Sequence, residues 1–93
     1  MVVGVLQMRL FIPESHSLKE KRRVVRGLKD RIHSRFNVSV AEVDSLDRWQ
    51  EAVLGVAVAT NDRRLADRIL AKVAALARLA PGAVLTSYET EIL

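Results

Sequence analysis

The stretch "SHSLKEKRRVVRGLKDRIHSRF", residues 15–36, holds a regularly spaced set of basic side chains. At 100° per residue, Arg22, Arg26, Lys29 and His33 line up at i, i+4, i+7 and i+11, with Lys19 and Arg23 beside them. Lysine and arginine are donors without acceptors, so the chemistry such a row can do is to hold anions. Phosphate suits it best, and RNA or DNA supplies phosphates in rows. The stretch also opens against the helix macrodipole. Lys19, Lys21, Arg22 and Arg23 crowd the first two turns, where only Glu20 has the favourable sign. A bound anion would resolve that conflict, because free backbone N–H groups and nearby cations at a helix start form an anion trap. Lys21 is odd in another way, since it points near the apolar side. Either its stem snorkels around the sheet end, or it faces a ligand where the first strand exits.

The plainer reading of such a row is a solvated helix face. Two features weigh against it. Few acids sit where they could pair the row, Asp30 near Arg26 and Glu20 near Lys19 and Arg23 being the exceptions. The charge is also concentrated: segment 17–36 holds 8 cations against 2 acids, a net +6, which leaves −2 for the rest of a chain of net +4.

Other chemistries lack their residues. The chain has no cysteine, which excludes disulfides, thiolate metal sites and cysteine nucleophiles. Its two histidines, His16 and His33, cannot make a conventional zinc site without several carboxylates in support. Ser15 and His16 precede the first helix without a visible catalytic partner, and a structural role is expected for them. Glu42 and Asp44 read as a solvated strand edge. Trp49, the one tryptophan, is expected to lie as a lid over the core edge, with a stacking platform as the alternative. No P-loop, nucleophile or metal cluster is evident, so we expect no enzyme, no cofactor and no metal.

The elements that must position these residues follow from periodicity. Residues 2–12 alternate, with Gly4, Leu6, Met8, Leu10 and Ile12 on one face, and Pro13 stops the strand. Ser17 starts a helix and Glu20 completes a capping box. Leu18, Val25, Leu28, Ile32 and Phe36 share its apolar side. "NVSVAEV" (37–43) and "EAVLGVAVAT" (51–60) are two more strands. Thr60 or Asn61 caps a second helix with Asp62 in its first turn, and Leu65, Ile69, Val73 and Leu76 carry its apolar stripe, flanked by Ala66, Leu70, Ala77 and Ala80. Pro81-Gly82 ends that helix, and residues 83–93 form the last strand. The order βαββαβ is the split-βαβ, ferredoxin-like motif. It predicts an α+β fold with a four-stranded antiparallel sheet ordered 4-1-3-2, both helices on one face, and residues 1–93 as a single domain.

The uncovered sheet face would show Val3, Val5, Gln7, Arg9 and Phe11, a mixed face that a second subunit often buries, so a homodimer is expected. The apolar N-terminus is interrupted by Arg9 and is too short to span a bilayer, which reads as a cytoplasmic protein with no membrane partner. Arginine outnumbers lysine 11 to 4, read here as a GC-rich, thermophilic source. An RNA-recognition motif is not expected, because stacking aromatics are missing from the third strand and the first offers only Phe11.

The stretches "HSLKEKRRVVRGLKDRI" and "FNVSVAEVD" and the run from Trp49 to Ala57 resemble those of the YlxP-like family of bacterial proteins of unknown function, over nearly the whole chain. The resemblance implies a ferredoxin-like fold and brings no catalytic residues. The frequent encoding of family members near translation and ribosome-maturation genes implies a ribosome- or RNA-related role. The reading is therefore a non-enzymatic binding module that meets RNA phosphates through Lys19, Lys21, Arg22, Arg23, Arg26, Lys29 and His33. Its alternatives are a protein-assembly module dimerising through the open sheet face, or a regulatory domain holding a small anionic metabolite.

Overall fold

A computed structural model describes residues 1–93. The elements are β1 (Val2–Phe11), α1 (Leu18–Arg35), β2 (Ser39–Asp44), β3 (Glu51–Thr60), α2 (Arg63–Arg78) and β4 (Val84–Ile92). All strand pairs are antiparallel and the sheet order is β2-β3-β1-β4, the expected order read from the other edge. This is the ferredoxin-like arrangement, with both helices packed on one side.

The period-two pattern of β1 decides which side. Leu6, Met8, Leu10 and Ile12 are buried under the helices, and they meet Leu54, Val56 and Val58 of β3 in the same core. β1 and β3 pair without interruption from Val2↔Thr60 to Phe11↔Glu51, so the two most apolar strands form the sheet centre. Gly4 is small for a reason: a Cβ there would stand 2.9 Å from Leu70 Cδ1, so α2 lies directly on that point of β1.

Helix α1 begins at its expected cap, Ser17, whereas α2 begins at a different one. In α1 the Ser17 Oγ accepts from the Glu20 N–H at 3.1 Å, but the Glu20 carboxylate reaches back to the His16 N–H instead of the cap residue's own. In α2 the N-cap is Asp62 itself, whose Oδ1 accepts from the Arg64 N–H at 2.9 Å, while Thr60 accepts from the Asp62 N–H at 3.1 Å. Two oxygen-bearing side chains in succession competed for the cap, and the one directly before the helix took it. Val73 and Leu76 of the expected α2 stripe face the core together with Ala66, Leu70 and Ala77 from its flank and with Ala74, whereas Leu65 is exposed and Ile69 half-buried. Alanines let this helix sit close to the sheet, and that close approach favours the small-residue side.

The apolar stripe of α1 is Lys21, Val25, Leu28 and Ile32, and its first member is a lysine. Lys21 is fully buried, which removes it from the anion-binding set expected above. Its Nζ donates to the carbonyls of Ser45 (2.9 Å), Leu46 (3.2 Å) and Glu51 (3.3 Å), and lies 2.8 Å from Glu42 Oε2. Four oxygens thus surround the three protons of the ammonium, and the Glu42 carboxylate, the nearest of them, balances its charge. Expected to be a solvated strand edge, Glu42 is instead the counterion of a buried cation and is only 14% exposed.

This cluster closes one end of the molecule. The same corner holds Ile12 N–H to Gln50 O at 2.8 Å and Gln50 Nε2 to Pro13 O at 3.1 Å, so the β1–α1 and β2–β3 connections are tied together. Ser45, beside the cluster, adopts a positive φ of 57°, uncommon for a residue with a Cβ. Its carbonyl is held by Lys21 and its N–H by Asp44 Oδ1 at 2.7 Å. Removing one member of a buried pair costs about 3–5 kcal/mol when the other is left uncompensated. Lys21→Ala strands the Glu42 carboxylate and removes a donor from three carbonyls, of which Ser45 O keeps the Arg48 N–H, and is expected to fall in that range. Glu42→Gln keeps the carbonyl contacts and should cost clearly less. Urea unfolding of the two variants checks the order, and equal losses would contradict a contribution from the carbonyls.

Candidate nucleic-acid interface

With Lys21 turned inward, the residues one and two positions on must face out. The outer side of α1 bears a shallow groove of about 670 Å3 lined by Lys19, Arg22, Arg23, Arg26, Gly27 and Asp30, with no apolar side chain among them. Four of the seven expected anion-binding residues are thus brought together. Lys21 is not among them for the reason given. Lys29 is half-buried and His33 exposed on the flank of the helix, outside the groove. The helical wheel placed Arg22, Arg26, Lys29 and His33 in a row correctly, but the groove runs along the adjacent row through Lys19, Arg23 and Asp30.

None of the exposed cations of α1 lies within 4.0 Å of a carboxylate oxygen; the ion pairs of the molecule are Arg9–Glu51, Lys21–Glu42 and Arg48–Glu51. Glu20, the acid best placed to neutralise Lys19 or Arg23, is engaged by the His16 N–H. Gly27 sits mid-helix at the groove floor, and a Cβ built on it meets nothing within 4 Å. Packing gives no reason for a glycine there, although glycine costs about 1 kcal/mol relative to alanine inside a helix. What its absent side chain does provide is access to the helix backbone between Arg23, Arg26 and Asp30.

The excess charge extends to the whole helical layer. Segments 17–36 and 61–80 hold 13 of the 15 cations and only 4 of the 11 acids, a net +9, whereas the strands and remaining loops carry −5. Ser15, whose structural role was expected, is buried with its hydroxyl donating to Ser17 O at 2.9 Å. Trp49 is not the expected lid. It is 56% exposed and borders a cleft of about 350 Å3 with Phe11, itself 43% exposed, Arg48, Gln50 and Glu51. No helix is long and apolar enough to cross a membrane.

Unpaired like charges one turn apart repel, by a few tenths of a kcal/mol per pair at low salt. Thermal stability is therefore expected to rise as sodium chloride is raised from near zero to about 0.3 M, and Arg26→Glu should raise the low-salt melting temperature. Melting curves at the two salt concentrations test this; a salt-independent melting temperature would mean the cations are already balanced.

Residues 3–90 match the model of the family described as "Protein of unknown function (DUF503)". The chain is 31% identical over 90 residues to "Uncharacterized protein YlxP" of Bacillus subtilis (strain 168), covering 97% of this chain and 98% of the relative. Among solved structures it is similar to the de novo designed protein Foldit4, with a TM-score of 0.57 at 12% identity, covering 100% of this chain and 97% of that one. A de novo designed protein described as having a ferredoxin fold matches with a TM-score of 0.48 at 13% identity, covering 99% and 85%. Foldit4 shares the fold, and the family match, with its relative aligned almost end to end, places the sequence: the chain belongs to the DUF503 family of proteins of unknown function.

Proposed function

We propose that the protein is a non-enzymatic RNA-binding module that docks structured RNA by its phosphates on the outward groove of α1. The observation that carries this reading is the row Lys19, Arg22, Arg23 and Arg26, four exposed cations in one groove with no ion-pair partner in the protein. Such a row matches phosphate spacing and releases condensed counterions on contact. Gly27 supports it by allowing a sugar-phosphate backbone to approach the helix. Asp30, an acid within the groove, is suited to accept a ribose 2′-hydroxyl, which favours RNA over DNA. Recognition is by backbone and shape, since nothing in the groove is aimed to read base edges.

The test is binding of a structured RNA, measured by fluorescence anisotropy against salt. Four phosphate contacts give a slope of log K on log salt of about −3. Arg22→Glu/Arg26→Glu should lose at least about tenfold in affinity and flatten that slope. Gly27→Leu leaves every charge in place and should weaken binding by obstructing the floor, which separates a fitted groove from diffuse attraction. A DNA duplex of the same sequence should bind more weakly than the RNA. No binding of RNA even at low salt would sink the reading.

A further inference from the structure

The face of the sheet turned away from the helices has a composition of its own. Its floor is small and apolar: Val3 and Val5 on β1 lie beside Ala59 and Ala57 on β3, with both alanines exposed. Next to this floor, Gly55 of β3 makes room for Val43 at the β2 bulge, whose Cγ1 would stand 2.9 Å from a Cβ there, so the Val43 side chain lies over β3 and borders the floor. Along one side of this floor runs a row of carboxylates, because Val5 pairs with Glu91 and Gln7 with Glu89 in register. Neither acid has a basic partner within 4.0 Å, whereas the one cation of the face, Arg9, is already held by Glu51 at 2.5 Å. An exposed Phe11 beside Val84 closes the far end, next to Trp49.

We infer that this face docks a basic, amphipathic helical segment of another protein. The segment's apolar side lies on Val3, Val5, Ala57 and Ala59, and its cations reach Glu89 and Glu91. The dimensions agree: strands of ten residues give a platform roughly 33 Å long, and four strands make it roughly 19 Å wide. A helix of about 18 residues, roughly 27 Å, spans it. Charge separates this occupant from the others. RNA is repelled by the unpaired acids. A second copy placed by a two-fold axis across the strands at Gln7 sets Glu89 against its own copy, and an axis along the strands between β1 and β3 sets Phe11 on Glu51. The basic α1 of a second copy offers charge, but its outward groove has no apolar side chain to cover the floor. The inference is independent of what α1 binds.

The experiment uses the full chain and a synthetic leucine-lysine peptide of about 18 residues, patterned so that all lysines fall on one helical face. Trp49 emission reports binding without a label, since the single indole stands at the end of the face. The expected result is saturable binding that weakens about fivefold or more in Glu89→Gln/Glu91→Gln, is lost in Ala57→Arg, and is unchanged or tighter in Arg22→Glu/Arg26→Glu. Sedimentation of the protein alone should give a monomer. Four outcomes overturn the inference: no binding; equal binding of a peptide of the same composition with its lysines scattered around the helix; no effect of neutralising the two glutamates; or a dimer that Ala57→Arg dissociates, which would give the face to a second copy.

Discussion

The buried ammonium of Lys21 is the constraint on which the rest of the arrangement depends. It stands where the apolar stripe of α1 calls for a leucine, and it donates to carbonyls at both ends of the β2–β3 connection. A hydrophobic residue would fill the volume but remove a donor from the Ser45, Leu46 and Glu51 carbonyls and leave the Glu42 carboxylate without its counterion. The ammonium thus sets three things together: the rotation of α1, the path of the β2–β3 connection and the facing of Glu42. Once that rotation is set, Arg22, Arg23 and Arg26 have nowhere to go but outward. The binding groove is in this sense a by-product of how the opposite side of the same helix is anchored.

Much of this was legible in the chain. Alternation in β1 and β3, the helical period of α1 and the Ser17 cap give the element order and the sheet, because these signals act between near neighbours and each agrees with the others. Lys21 was visible as an anomaly, a cation on an apolar stripe. Its partners were not, since they lie 21–30 residues away and include backbone carbonyls, which no pattern of side chains reveals. The row of Arg22, Arg26, Lys29 and His33 was geometrically right for a helix, yet the position of the groove depends on which flank faces the sheet edge. Asp62 was missed as the cap of α2 because adjacent capping groups compete locally.

The two layers divide the labour of a small domain. With 22 of 93 residues buried, nearly all of the apolar interior is spent on joining sheet to helices, and both outer surfaces are left to be decided by charge. The strands and loops collect acids that the helices exclude, and only two of these are paired: Glu51, which Arg9 and Arg48 share, and Glu42, which Lys21 holds. A fold that closes on one face only is free to give its two sides unrelated tasks.

The separation of charge also makes the molecule a permanent electric dipole directed from sheet to helices. In the field of a polyanion such a body feels a torque before it touches anything, and it turns its helical side forward while still a Debye length or more away. Fewer encounters are then wasted on the wrong orientation, and the rate of productive collision rises more than net charge alone would give. Moving a few acids from strands to helices would leave the isoelectric point where it is and abolish that alignment.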